Sequence, residues 1–299
     1  MNLPNGVDIN NLIADLKKFS WEASEILLYY SKKLEDSNFK SKIINNTDLN
    51  QPVTVADLKI NELIKKRIKE FYPNVCWDFL SEEDSKLEGK LFRAKYNWLW
   101  VLDPLDGTKD FIQGTGNYAM HLSLNFKNQP VLGVVLIPES NELWFANSSK
   151  TYCYGNRISE IKLDLKINKK LQELRLIKSK NHNNDFLLNL VKRINFKEIR
   201  TMGSVGCKIA SILRGENDIY ISYSNPKGST PKDWDFAAPA LILKSAGGSI
   251  TNLYNEELVY NKEGFNQGGV IIASNNKFTH ESICSEIKQI ISEYNLLPN

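Results

Sequence analysis

Asp103 and Asp106 stand three residues apart in D-P-L-D-G-T-K-D (Asp103 to Asp110), directly after the apolar run W-L-W-V-L. A carboxylate at the end of a strand and a second one three residues on can turn toward one point. Gly107 lets the backbone approach a ligand closely, and Thr108 opens a helix whose unpaired N–H groups and positive dipole end suit a phosphate. Carboxylates beside a phosphate need an intervening cation, and an oxygen-only ligand set suggests Mg²⁺. Asp-Pro and Asp-Gly are also ordinary turn dipeptides. On this segment alone, a turn and a site are evenly matched.

Three further acidic positions shift that balance. Glu82, in S-E-E-D after the apolar stretch Val75 to Leu80, stands at the end of a predicted strand. Asp57 follows Thr54 by three residues in P-V-T-V-A-D, the spacing of a capping box, and can hold that role beside a catalytic one. Asp235 follows Trp234 at the start of a predicted helix, where an acid is also a common N-cap. Glu82, Asp103, Asp106 and Asp235 together would carry a formal charge of −4. At ~5 Å and an effective dielectric near ~20, each like-charge pair costs ~3 kcal/mol. Two Mg²⁺ would balance the cluster, the stoichiometry of two-metal phosphoester cleavage.

Other chemistries are excluded by what is missing. The four cysteines (Cys76, Cys153, Cys207, Cys284) are scattered and form no C-x-x-C pair. They fit free thiols in a reducing cytoplasm rather than a zinc site or disulfide scaffold. A Cys-x5-Arg phosphatase loop is absent, since Glu82, Ser159, Leu213 and Ile290 occupy the sixth positions after them. Three histidines (His121, His182, His280) cannot supply H-E-x-x-H. The D-x-x-D spacing is neither the D-x-D of a haloacid-dehalogenase-type phosphatase nor an EF-hand loop. With 38 Lys plus Arg against 35 Asp plus Glu, a net charge of +3 leaves no footprint for nucleic acid or a membrane surface. No window is long and apolar enough to span a bilayer, and the first ten residues lack the pattern of a signal peptide.

The elements that must position these residues follow from periodicity. Residues 9 to 35 carry a helical stripe and 56 to 71 a second helix, with a polar loop from Ser37 to Gln51 between them. Strands are predicted near 97–102, ending at Asp-Pro, and near 119–126, 131–137 and 142–147, the last two joined through a turn at 138–141. After Lys170 the texture alternates. A strand at 174–179 precedes helices at 184–194 and 204–214, the latter closed by Gly215. A strand at 218–222 then leads to a helix at 235–245, strands near 249–253 and 269–274, and a last helix capped by Thr279. The pattern reads as α+β followed by α/β, dividing into 1–170 with most of the acids and 171–299 with Asp235.

The segments D-P-L-D-G-T-K-D-F, S-E-E-D, P-V-T-x-A-D and W-D-F-A-A-P-A-L-I-L-K-S-A-G-G occur in the order of the inositol monophosphatase superfamily, and the resemblance covers roughly residues 10 to 275. That resemblance implies a layered αβαβα sandwich and a Mg²⁺-dependent, lithium-sensitive phosphatase, often dimeric, using two or three ions. It makes Glu82, Asp103, the Leu105 carbonyl, Asp106 and Asp235 metal ligands. The N–H groups of Gly107 and Thr108 become the phosphate cradle, and Thr108 with Asp57 the pair that orients and deprotonates the attacking water. The family commonly carries Lys-x-Asp-x-Ser-Pro-Val-Thr before that Asp. Here Thr47-Asp48-Leu49-Asn50-Gln51-Pro52-Val53-Thr54 lacks the Lys and the Ser, which leaves a third, weaker metal position in doubt.

Lys109-Asp110 after D-G-T resembles the 3'(2'),5'-bisphosphate nucleotidase branch, the CysQ-type enzymes of sulfate assimilation, which remove the 3'-phosphate of adenosine 3',5'-bisphosphate. S-V-G-C-K at 204–208 resembles that branch's Gly-x-Lys helix entry, implying that Gly206 and Lys208 meet the second phosphate. S-K-N-H at 179–182 resembles its Ser-Arg-Ser-His, putting Ser179 and His182 near the nucleoside. Inositol monophosphatases tend to hold sugar hydroxyls with an acid seven residues before the W-D Asp; here that residue is Gly228. The alternatives are an inositol- or sugar-phosphate phosphatase, and more remotely a paralogue that holds metal and phosphate without turnover.

Overall fold

Strand β2 (Trp98–Asp106) divides its side chains between two cores, with Leu99 and Val101 in one and Trp100, Leu102 and Leu105 in the other. A strand covered on both faces is apolar throughout, which is why its first half reads as a continuous run. The computed structural model describes residues 3–36, 54–88, 95–155, 159–166, 168–181 and 184–296.

β2 belongs to a seven-stranded sheet in chain order. β1 (Asp78–Ser81) pairs parallel to β2. β3 (Ala119–Phe126), β4 (Gln129–Ile137), β5 (Glu142–Asn147), β6 (Thr151–Tyr154) and β7 (Ser159–Ile161) continue antiparallel. A second sheet runs β11 (Ser249–Asn252), β12 (Gly269–Ser274), β10 (Ile219–Ser224), β8 (Arg175–Ser179), β9 (Glu198–Met202).

Helices fill the spaces in sequence-dictated order. α1 (Ile9–Leu34) and α2 (Val55–Phe71) bury Leu12, Leu16, Phe19, Leu27, Ile60 and Ile64 against the outer face of the first sheet. α6 (Val205–Leu213) and α7 (Asp233–Ser245) lie between the sheets, where their residues share a core with Val101, Val135 and Trp144 on one side and Ile177, Ile271 and Ala273 on the other. Covered on both faces, α6 has no exposed side, and Val205 to Leu213 are all buried, Lys208 and Ser211 included. α5 (Asp185–Ile194) and α8 (His280–Glu293) close the far face of the second sheet. The layers therefore run αβαβα.

Several details depart from the sequence reading. β2 does not end at Asp103-Pro104 but reaches Asp106, with its pairing to β3 shifted between Asp103 and Asp106. Pro104 has no N–H to donate, so the strand passes it as an irregularity rather than a stop. β1 starts at Asp78, three residues later than the apolar stretch suggests. Asp235 is the third residue of α7, not its cap. Thr279 occupies the N-cap position of α8, yet its hydroxyl donates to the Asn276 carbonyl (3.4 Å) and caps nothing. The short strands β6, β7 and β9 and the helix α3 (Glu82–Glu88) have no periodic signature to betray them. Gly215 does close α6 as expected, with φ +73° and its N–H on the Ile212 carbonyl (3.0 Å). The expected loop at 37–51 and His182 lie outside the described residues. All four cysteines are free thiols. Among the described residues no helix is long and apolar enough to cross a membrane.

Candidate active site

The irregular end of β2 is what turns its acids inward. Carboxylate oxygens of Asp103, Asp106 and Asp235 come within 4.8 Å of one another, from β2 and from the first turn of α7. Glu82, the first residue of α3, lines the same cavity and adds its charge to the field acting on Asp103. Burial, then repulsion from Glu82, Asp106 and Asp235, holds the Asp103 carboxyl well above the ordinary range. Burial and the nearby Asp106 do the same to Asp235. Three of the four acids thus share one small volume with Glu82 adding its charge, an arrangement that could hold a metal ion.

Each acid is oriented by a specific contact. Asp235 accepts the Lys232 N–H at 2.6 Å, which fixes its position at the helix start. Asp103 accepts the Leu105 N–H at 3.0 Å, turning the Leu105 carbonyl outward, where it accepts the Thr108 hydroxyl at 2.9 Å. That carbonyl keeps a second lone pair. Asp106 Oδ2 accepts from Ser204 Oγ (2.7 Å) and from the Val205 N–H, with the Gly206 N–H at 3.4 Å. The Asp106 carboxylate therefore sits on the N-terminus of α6, where negative charge is favoured. Lys86, one turn past Glu82, bridges Glu82 Oε1 (3.0 Å) and Glu83 Oε1 (2.8 Å) and offsets part of the acidic field.

Gly107 precedes helix α4 (Thr108–Gln113) with φ +88°, and a Cβ there would lie 2.8 Å from the Asn117 carbonyl. Only glycine meets both demands. Asp57 completes the expected capping box with Thr54, accepting its N–H (2.8 Å) and its hydroxyl (2.5 Å). Burial, followed by the charges of Glu83 and Glu82, pushes the Asp57 carboxyl up to about 8 against the Thr54 bond. Among the described residues, Thr108 and Asp57 share no hydrogen bond: Thr108 is engaged by Leu105 and Asp57 by Thr54.

A cavity of about 650 Å³ opens over this cluster and is lined by Glu82, Asp106, Gly107, Thr108, Ser179, Lys208 and Asp235, with the aromatic residues Tyr223 and Phe265 also in its lining. Lys208 is 3% exposed, and its ammonium donates to the carbonyls of Gly203 (3.2 Å) and Met202 (3.5 Å). Burial lowers its pKa. Gly206 does not line the cavity; a Cβ would lie 2.4 Å from His121 Nε2, so the residue lets α6 pack onto β3.

The sequence reading passed over His121 and Ser204. His121 is the cross-strand partner of Asp103; its ring reaches the Trp234 carbonyl (3.3 Å) and Asp106 Oδ2 (3.3 Å). No clear signal marked it, because β3 alternates apolar residues with His121, Ser123 and Asn125, a pattern that reads as an ordinary polar face. Ser204 sat inside a quoted motif, but its contact with Asp106 spans 98 residues and leaves no trace in local spacing.

A sequence profile described as the inositol monophosphatase family matches residues 9–292. A 3'(2'),5'-bisphosphate nucleotidase CysQ of Buchnera aphidicola is 31% identical over 239 residues, covering 78% of this chain and 80% of its own. A fructose-1,6-bisphosphatase/inositol-1-monophosphatase of Thermotoga maritima is 27% identical, with 81% of this chain and 84% of that protein covered. Among solved structures, an inositol monophosphatase of Thermotoga maritima superposes with TM-score 0.71 at 23% identity over 95% of this chain and 99% of its own. The extragenic suppressor protein suhB of Bartonella henselae gives 0.73 at 19% identity, covering 93% and 99%.

Proposed function

The chain belongs to the inositol monophosphatase family, as a metal-dependent phosphomonoesterase, and within that family we propose that it is a 3'(2'),5'-bisphosphate nucleotidase acting on adenosine 3',5'-bisphosphate. The observation that carries this reading is Lys208, a buried ammonium in the wall of the same cavity as the acidic cluster, where a second phosphate would meet it. Similarity to CysQ of Buchnera aphidicola supports it further. The second reading, an inositol- or sugar-phosphate phosphatase, draws on the Thermotoga maritima relative.

The acids suit a hard divalent cation: their donors are all oxygen, and three carboxylates cannot share one small volume ionised without positive charge. Glu82, Asp103, Asp106, Asp235 and the Leu105 carbonyl would hold Mg²⁺, two ions or three. The segment before Thr54 that bears on a third position lies outside the described residues. Such ions supply charge neutralisation at the phosphoryl group and a lowered pKa for water. The Gly107 and Thr108 N–H groups receive a phosphate oxygen at the start of α4. Thr108, its hydroxyl proton given to the Leu105 carbonyl, would hold the attacking water through its oxygen. Asp57 would take the proton as general base once the positive charge of bound ions has returned its carboxyl to the ionised form. Ser179, with His182 beyond the described residues, faces the nucleoside.

Phosphate release with and without Mg²⁺ and Li⁺ tests this, on adenosine 3',5'-bisphosphate, its analogue with a 3'-phosphate and a 5'-phosphosulfate, inositol 1-phosphate and fructose 1,6-bisphosphate. The nucleotide esters are expected to turn over fastest, and Li⁺ to inhibit. Equal rates on nucleotide and inositol esters remove the narrower name. Asp106→Asn is expected to abolish release; undiminished activity overturns the metal assignment.

A further inference from the structure

We propose that Asp110 is the positioning residue of the second-phosphate subsite: it wedges between the segments carrying Asn181 and Lys208 and fixes both against the phosphate-cradle helix. The inference rests on the bisphosphate reading above and deepens it.

Asp110 lies in α4, two residues past Thr108, and is 1% exposed. Its Oδ2 accepts from Asn181 Nδ2 at 2.6 Å and its Oδ1 from Thr115 Oγ1 at 2.7 Å. Lys180 Nζ stands 3.9 Å from Oδ1 and donates to Gln113 Oε1 at 3.0 Å. On its other side the carboxyl is packed against Gly203 so closely that a Cβ there would lie 2.3 Å from Asp110 Cγ and Oδ2. Gly203 in turn supplies the carbonyl that holds the Lys208 ammonium at 3.2 Å. The segments after β8 and before α6 also meet directly, through the Lys180 N–H on the Met202 carbonyl at 3.1 Å. One buried carboxylate thus touches both sides of the cavity wall where Ser179, Asn181 and Lys208 emerge.

The chemistry explains why an acid stands there. A buried carboxylate only accepts, so it gathers the Asn181 amide and the Thr115 hydroxyl as donors and is costly without them. Its charge also favours the ammonium form of Lys208, which burial opposes. Two of the three Lys208 donors go to the Met202 and Gly203 carbonyls and the ammonium stands 5.4 Å over the Tyr220 ring, so among the described residues at most one donor is left for an anion in the cavity.

The test compares KM and kcat for adenosine 3',5'-bisphosphate and adenosine 3'-monophosphate, which lacks the second phosphate, in the wild type, Asp110→Ala, Asp110→Asn, Asn181→Ala and the Asp110→Ala/Asn181→Ala double variant. Asp110→Ala is expected to raise KM for the bisphosphate about tenfold with kcat within about twofold, and to leave the monophosphate KM within about twofold. Asp110→Asn, in which the Asn181 amide can flip and restore its bond, is expected to recover most of that loss. Asn181→Ala keeps the buried carboxylate and guards against a variant that fails to fold; it should raise the same KM several-fold. The double variant should be no worse than Asp110→Ala alone. Equal losses on both esters, or additive losses in the double variant, overturn the inference. A wild type that treats the two esters alike overturns the bisphosphate reading and the inference with it, whereas wild-type preference with unmoved variants overturns the inference alone.

Discussion

Ser204 Oγ donates to Asp106 Oδ2 at 2.7 Å and accepts the Cys207 N–H at 3.2 Å, so a single hydroxyl both starts helix α6 and aims a carboxylate of the acidic cluster. Ser204 holds this geometry with φ +45°, a backbone region that costs a non-glycine residue about 1–3 kcal/mol. The cost is offset by bonds to an ionised acceptor, which are stronger than neutral ones.

Removing that hydroxyl separates its two roles. Ser204→Ala is expected to raise the Mg²⁺ half-saturation point about tenfold, the lower end for losing a group that orients a metal ligand. Loss of the cap costs about 1 kcal/mol, or about 1–2 °C of melting temperature at this chain length. Titration of Mg²⁺ by calorimetry and melting in EDTA read the two effects apart; unchanged metal affinity would separate Ser204 from the site.

The acidic cluster predicts how stability depends on pH when no metal is bound. Burial pushes Asp57 up to about 8, and Asp103 and Asp235 are raised as well. Between the ordinary carboxyl pKa near ~4 and those raised values, the folded protein keeps protons that the unfolded chain has released. Stability in EDTA should therefore fall as pH rises from about 4 to about 8, by at most ~1.4 kcal/mol per unit for each such proton. Saturating Mg²⁺ should flatten that slope, because the cation takes over the role of the protons. A melting temperature in EDTA that rises over the same range contradicts the arrangement.

Gly206 should respond to size alone. A Cβ would press on His121 Nε2 at 2.4 Å and Val135 Cγ1 at 2.8 Å, both in the first sheet. Gly206→Ala is expected to cost about 1–3 kcal/mol by overpacking. It should also weaken Mg²⁺ binding, since the N-terminus of α6 must retreat from Asp106. Denaturant unfolding in EDTA gives the first figure and metal titration the second; full stability in the variant would mean that α6 has room to spare.

Much of the molecule was legible in its order of residues. Long helices and the central strands declared themselves because burial on one face or both imposes a period on residue type, as in Leu12, Leu16, Phe19 and Leu27 of α1. The acids were legible because their types and short spacings, Asp103 with Asp106 and Thr54 with Asp57, already state a local geometry. Short edge elements such as β7 and β9 were not, since three to five residues with exposed side chains carry no period.

Tertiary structure alone decided what lies behind those acids. Ser204 and His121 reach Asp106, Asn181 reaches Asp110, and Gly203 presses on that same carboxyl, across separations of 15 to 98 residues that no spacing rule connects. A hydrogen bond or a close packing contact depends on where two elements cross. That crossing is set by the sandwiching of α6 and α7 between two sheets, a property of the whole core rather than of any segment.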